Sequence, residues 1–189
     1  MDINEKFHSF MSSLCAAVEL DLRAAKQGCF VEEVVLAAAI IDATLRIGLI
    51  LKHQIETSSD QLLEDILYQG EEDKAVLERQ IYKRSFDKGI IDEPTFNALN
   101  ALYGERNKVV HRYIISTITT LDILGISEKY NDVKRKVSNF IETLEKEQIR
   151  LGVGMTVEGV GQYSAQDIRE LATGKHGDDG LAQALRECL

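Results

Sequence analysis

The sequence contains little that would interrupt a helix. Its 189 residues include one proline, Pro94, and no tryptophan. Proline breaks helix interiors, so a chain of this length with a single proline favours long helices. No alternating apolar and polar run of any length indicates a strand. We therefore predict an all-α protein.

Cysteines and uninterrupted apolar runs are also scarce. The three cysteines are scattered and form no CxxC pair, which argues against a zinc site and for a reducing compartment. The longest apolar stretch, residues 34–51, contains Asp42 and Arg46, and we do not expect it to span a membrane. The N-terminus lacks the basic flank and apolar run of a signal peptide. We expect a cytoplasmic protein with no membrane segment, no metal site and no cofactor.

The charge is acidic overall but unevenly distributed. The net charge of −9 argues against broad nucleic-acid binding, which needs a basic footprint. Residues 79–112 are nevertheless net basic, with four acidic residues against seven basic ones: Arg79, Lys83, Arg84, Lys88, Arg106, Lys108 and Arg112. This excess is open to two interpretations, an anion-facing patch or an ordinary solvated helix face.

Apolar residues at three- and four-residue steps predict the helices. The predicted ranges are 2–27, 31–54, about 71–88, about 94–115 and 127–151, with a short helix that ends near Gly70 and is capped by Ser59 or Asp60. Asp92 and Pro94 suit the cap and first turn of the fourth long helix. This order predicts an antiparallel up-down bundle over residues 1–151.

The composition changes after residue 151. Residues 152–189 hold seven of the 13 glycines and form a predicted C-terminal extension. Within it, SAQDIRELA is predicted to be a short helix capped by Ser164, and LAQALRECL a terminal helix.

One arginine interrupts the apolar face of the helix predicted over 94–115. Arg106 falls within that face, three residues after Tyr103 and four before Val110. A guanidinium among apolar side chains is costly unless a partner satisfies it, and such conflicts tend to mark functional or strained sites. The face consists of Phe96, Leu99, Leu102, Tyr103, Val109, Val110, Tyr113 and Ile114.

The partner of Arg106 is open at this stage. A second copy of the helix, docked antiparallel about a two-fold axis, a bound phosphate, or an acid from a neighbouring helix would each satisfy it. Asp42 is the natural acid because it also lies in an apolar helix, although Arg46 one turn later can neutralise it instead. His111 can equally be a satisfied histidine between helices.

The residues after Arg106 suit phosphodiester chemistry. Asn107 and His111 are four residues apart and lie on one edge of the helix, beside the apolar face. A histidine can shuttle a proton near neutral pH, and an arginine fork binds and neutralises phosphate oxygens. An asparagine can hold the imidazole or a ribose hydroxyl.

The stretch RNKVVHRY resembles the signature of the HEPN superfamily (higher eukaryotes and prokaryotes nucleotide-binding). That signature is Arg, often followed by Asn, Asp or His, and then His after a few intervening residues. Arg106, Asn107 and His111 match it, and Tyr113 matches the His-x-Tyr extension of HEPN toxins that are paired with minimal nucleotidyltransferase antitoxins. The preceding GIIDEPTFNALNALYGERN is similar to the lead-in of uncharacterised and mannitol-repressor-like HEPN proteins. Asp42 matches an acidic residue that recurs in an early central helix.

The resemblance implies a homodimeric bundle in which two motifs face each other and act as a metal-independent endoribonuclease. His111 is then expected to move protons, Arg106 to stabilise the phosphorane-like charge and Asn107 to position the substrate. In a toxin–antitoxin pair, Tyr113 would be modified by the nucleotidyltransferase-type antitoxin. The supporting residues would be Asp42, Arg46 and Tyr103.

A second expectation stands beside the enzyme. Many HEPN-like proteins act only as binding or regulatory modules, so the alternative is a non-catalytic regulator or a nucleotide- or RNA-binding scaffold. In that case Arg106 and His111 would serve a dimer interface or bind a nucleotide. The acidic net charge restricts the enzyme to a narrow substrate, such as a structured tRNA.

Overall fold

Helices make up most of the described residues in the computed structural model, which describes residues 2–67 and 76–158 together with positions 166, 170 and 173. The predicted all-helical class is confirmed, and the described residues include no strand. The helices are α1 (Ile3–Gln27), α2 (Phe30–Thr57), α3 (Glu64–Leu67), α4 (Glu78–Asp87), α5 (Glu93–Arg112), α6 (Thr120–Leu151) and α7 (Met155–Glu158).

Helix α2 lies at the centre of the bundle. It packs against α1, α4, α5 and α6, and its buried residues face in several directions. By length and composition α2 could cross a membrane, but 61% of its most apolar window is buried inside the protein, which fits the core helix of a soluble protein. Gly48 brings α2 close to α6, because a Cβ at this position would lie 2.5 Å from Cδ1 of Ile141.

Local signals explain where most helices begin and end. The Asp2 carboxylate accepts hydrogen bonds from the backbone N–H groups of Asn4 and Glu5, and Gly28 ends α1 with a φ of 70°. The predicted cap of α5 is confirmed, since Asp92 accepts from the Thr95 N–H at 2.9 Å and Pro94 lies in the first turn.

Several predicted boundaries are wrong. Neither Ser59 nor Asp60 caps α3, which begins at Glu64. Helix α4 begins at Glu78 because Leu77 is extended and donates its N–H to Gln80 Oε1 at 3.0 Å; residues 68–75 lie outside the described part. Helix α5 ends at Arg112, and residues 113–115 form a turn. Helix α6 begins seven residues before the predicted start, because Thr119 and Asp122 form a capping box.

Two buried glutamines attach the start of the C-terminal extension to the bundle. Nε2 of Gln148 donates to Oε1 of Gln54 at 2.9 Å, and that same oxygen accepts the Met155 N–H at 3.1 Å. Oε1 of Gln148 accepts the Thr156 N–H at 3.1 Å. Residues 166 and 170 are helical, as expected for SAQDIRELA, and residue 173 just after it is helical too; the rest of that segment and LAQALRECL lie outside the described residues.

Candidate functional site

Arg106 has its acidic partner inside the chain. Its guanidinium forms an ion pair with Glu78, the first residue of α4, and about four-fifths of each side chain is buried. Nη2 of Arg106 also donates to Oδ1 of Asn107 at 3.1 Å. Burial disfavours the arginine cation, but the hydrogen bond and charge of Glu78 outweigh it, so the pKa of Arg106 is raised.

Tyr103 lies beneath this arginine. The guanidinium carbon of Arg106 is 4.8 Å from the centre of the Tyr103 ring, within the range of a cation–π contact. Arg79 also approaches the ring, at 5.7 Å, and donates its Nε–H to Asn100. A guanidinium offers five N–H donors. The two hydrogen bonds that Arg106 makes within the described residues therefore leave donors for a further oxygen ligand.

Asp42 pairs with Arg46 and not with Arg106. Nε of Arg46 donates to Oδ2 of Asp42 at 2.6 Å, and Nη1 and Nη2 of Arg46 donate to the backbone carbonyls of Ile66 and Val76 at 2.6 and 3.2 Å. Of the two arrangements that the sequence left open for Asp42, the structure has the one within α2. Arg46 thereby holds α3 and the segment just before α4 against α2.

Asp42 still lies near the Arg106 pair. Burial raises the pKa of the Asp42 carboxyl, Arg46 lowers it, and smaller charge effects come from Glu78 and Arg106. Oδ1 of Asp42 is buried without a hydrogen-bond partner in the described part of the protein. We use the name polar cluster for the group between α2, α4 and α5 that consists of Asp42, Arg46, Glu78, Tyr82 and Arg106.

Glu78 and Tyr82 are the members that the sequence reasoning missed. The Tyr82 hydroxyl donates to Oε1 of Glu78, and burial together with that carboxylate raises the pKa of the Tyr82 phenol. Glu78 lies three and four residues before Ile81 and Tyr82, both fully buried. A carboxylate on the apolar side of α4 is the same kind of conflict as Arg106 on α5. This conflict was the sequence signal that could have identified Glu78.

The other motif residues lie apart from the polar cluster. His111 is exposed near the C-terminal end of α5, and Tyr113 follows the helix with 43% of its surface exposed. Asn107 connects the two regions, because its amide oxygen contacts Arg106 and it lies one helical turn before His111. Arg106 is thus mostly buried between α4 and α5, whereas His111 is exposed to solvent.

The predicted apolar face of α5 is buried only along part of its length. Leu99, Leu102 and Val109 are buried, but the described helices leave Val110, Tyr113 and Ile114 exposed. We use the name apolar corner for five exposed apolar residues at the end of α5 and the start of α6: Val110, Tyr113, Ile114, Ile115 and Leu121. Ile114 is 95% exposed and Ile115 81% exposed. Adjacent exposed apolar side chains on this scale mark interaction surfaces.

No family model, no curated protein and no solved structure matches this chain. Among residues 2–67 and 76–158, no group of three or more His, Cys, Asp or Glu side chains is arranged to hold a metal ion. Because no known protein or family matches the chain, the HEPN resemblance stays a prediction that rests on the motif.

Proposed function

We propose that this protein is a HEPN-like endoribonuclease whose active site forms when two copies associate through the apolar corner. The observation that carries the proposal is that His111 is exposed beside Val110, Tyr113, Ile114 and Ile115, whose apolar surface the described chain does not cover. An isologous contact places a residue near a two-fold axis close to its own copy. Two histidines would then lie beside one phosphodiester, one to accept a proton and one to donate it.

The proposed reaction is transesterification of RNA. One His111 accepts the proton of a 2′-hydroxyl, whose oxygen forms a bond to the adjacent phosphorus. The 5′-oxygen leaves with a proton from the partner's His111, giving a 2′,3′-cyclic phosphate and a 5′-hydroxyl end. Arg106 stabilises the charge on the phosphorane-like oxygens through donors that Glu78 and Asn107 leave unused. The ion pair and the Tyr103 ring hold this guanidinium in place before substrate binds.

Tyr113 provides a place for regulation in this proposal. Its side chain is half exposed next to His111, within reach of a second protein. A nucleotidyltransferase-type antitoxin would join a nucleoside monophosphate to the tyrosine oxygen and release pyrophosphate from a nucleoside triphosphate. The added phosphate would block the apolar corner and the approach of RNA to His111.

The test is cleavage of cellular RNA by purified protein in the presence of a metal chelator. We expect wild type to cut, His111→Ala to lose activity, and Arg106→Lys to lose most of it because an ammonium cannot form the planar fork. Arg106→Lys keeps a cation beside Glu78, so folding is preserved. His8→Ala, which removes an exposed imidazole from α1, is the matched control and should cut like wild type. Intact RNA with wild type, or equal cleavage by His111→Ala, would overturn the proposal.

A regulatory or scaffold role is the second candidate, and one observation favours it. The charges of Asp42, Arg46, Glu78 and Arg106 sum to zero, and Arg106 is paired inside its own chain. On this reading Arg106→Ala lowers the melting temperature or shifts the protein towards monomer, while no variant alters the amount of intact RNA.

A further inference from the structure

The basic excess of residues 79–112 is largely neutralised in the fold. Lys83, Arg84, Lys88 and Arg106 form ion pairs with Asp87, Asp65, Glu56 and Glu78 respectively. Arg79 donates to the Asn100 amide. Lys108 and Arg112 are the two that have neither a carboxylate nor an amide partner within the described residues. Apart from Arg79 on α4, the cations of this stretch that form no ion pair in the described part of the chain thus lie in the C-terminal half of α5.

These two cations line one cleft. Lys108 and Arg112 are four residues apart, so they are neighbours on the exposed side of α5. They border a space of about 340 Å³ between α5, the following loop and the start of α6. That volume lies within the range of small-ligand sites, about 300–1,000 Å³. Ser116 and Thr117 bring two hydroxyl groups to the same cleft, and Ile118 contributes an apolar wall.

The two carboxylates in the cleft are already engaged. Glu105 accepts from Nζ of Lys129 at 3.2 Å. Asp122 accepts from the N–H and the hydroxyl of Thr119 at 2.7 and 2.6 Å, as the cap of α6. Each acid is held by another group, and neither forms an ion pair with Lys108 or Arg112. The cleft therefore offers a phosphate group the donors of two cations that have no ion pair within the described residues, together with two hydroxyls.

The cleft lies next to the histidine of the motif. Lys108 is three residues before His111 and Arg112 is one residue after it, so all three side chains emerge from one exposed surface of α5. Arg106 lies about 160° around the axis from Lys108, on the side that faces α4. A phosphate held by Lys108 and Arg112 would thus be adjacent to His111 without competing for Arg106.

The geometry points to a phosphate-binding subsite at Lys108 and Arg112 that holds an RNA backbone phosphate next to the phosphodiester at His111. That the phosphate belongs to RNA rests on the proposed function. That Lys108 and Arg112 bind an anion does not rest on it. This subsite fixes where a strand crosses α5. It also gives an acidic protein a local basic footprint, which favours a short contact with few phosphates over long non-specific tracking.

The test is the binding of a short fluorescent 2′-O-methyl oligoribonucleotide, which lacks the hydroxyl needed for cleavage. We expect the Lys108→Gln/Arg112→Gln double variant to bind about tenfold more weakly than wild type. The slope of log affinity against log salt should fall by about 0.7, the value for one phosphate contact on a single strand. The matched control is Lys83→Gln/Arg84→Gln, which removes the same charge from α4, where each cation has a carboxylate partner.

The outcomes separate the subsite from the nuclease. Equal affinity and salt slope for the double variant and the control would overturn the subsite, whether or not wild type cuts RNA. Weaker binding by the double variant would support the subsite even if wild type leaves RNA intact, in which case only the nuclease fails. Inorganic phosphate and a nucleoside monophosphate are titrated in parallel. If either binds wild type as tightly as the oligonucleotide and loses binding in the double variant, the assignment to RNA is wrong.

Discussion

Arg106 on α5 and Glu78 on α4 form a largely buried ion pair that joins the two helices. Removing one partner leaves a charge in a site from which water is mostly excluded, so Arg106→Met is expected to lower the free energy of unfolding by about 2 kcal/mol, less than for a fully buried pair. A double-mutant cycle with Glu78→Gln should give a coupling energy of at least about 1 kcal/mol in urea denaturation.

The exposed Arg135–Asp132 pair on α6 is the control for that cycle, since most of each side chain is in water. Its coupling energy should stay below about 0.5 kcal/mol. Equal coupling in the two pairs would mean that the Arg106–Glu78 contact contributes no more than a surface ion pair.

The proposed association through the apolar corner can be tested by sedimentation. Ile114→Ser/Ile115→Ser removes two highly exposed apolar side chains, so it should convert a wild-type dimer to monomer in sedimentation velocity without lowering the melting temperature. Leu22→Ser/Ile149→Ser changes apolar residues that are about half exposed on other helices and should remain dimeric. A wild type that sediments as a monomer at every concentration would remove the basis for a shared active site.

Gly154 should tolerate substitution less well than Gly152. Both have positive φ, at 81° and 66°, but a Cβ on Gly154 would lie 2.3 Å from Nε2 of Gln148, whereas Gly152 has open space around it. Gly154→Ala displaces the fully buried Gln148 amide, which accepts the Thr156 N–H and donates to the Gln54 oxygen that accepts the Met155 N–H. We expect it to cost about 1–2 kcal/mol more than Gly152→Ala in urea denaturation. Equal costs would show that the Gln148 contact can rearrange freely.

The cap of α5 predicts a pH dependence. Hydrogen bonds from Thr95 hold the pKa of Asp92 below its ordinary value of 3.8. A lowered folded-state pKa contributes stability above the unfolded-state value and loses it as pH falls through the folded-state value. Asp92→Ala should therefore cost about 1 kcal/mol near neutral pH and progressively less below about pH 4. Asp92→Asn, which keeps an acceptor, should cost less; a pH-independent difference between wild type and Asp92→Ala would contradict the assignment.

The sequence predicted the fold well because caps and periodicity are local signals. Asp92 caps the start of α5 and Pro94 lies in its first turn, and Gly28 ends α1, as the chemistry of each residue predicts. The start of α4 and the end of α5 were predicted less well, because these boundaries depend on which side chains pack against other parts of the chain. Ile114 and Ile115 suit a buried face, yet the described helices leave both exposed.

The sequence predicted that Arg106 needs a partner, but not which residue is that partner. The need follows from the position of Arg106 on the apolar face of α5, which a helical wheel shows from the sequence alone. Which acid supplies the charge depends on how α4 lies against α5, and that is set by packing between helices distant in sequence. Glu78 is 28 residues before Arg106. The pattern within α5 therefore contained no information about Glu78.

Helix α1 has a consequence for the dynamics of the protein. It packs mainly on α2, with ion pairs from Lys6 to Glu64 on α3 and from Lys134 on α6 to Asp21. A helix held from one side can open without unfolding the rest, so amide protons in α1 should exchange with solvent sooner than those in the centre of α2. High salt, by screening the exposed Lys6 pair, should widen that difference. Each such opening uncovers the side of α2 that packs against α1, so self-association would begin from a nearly native state.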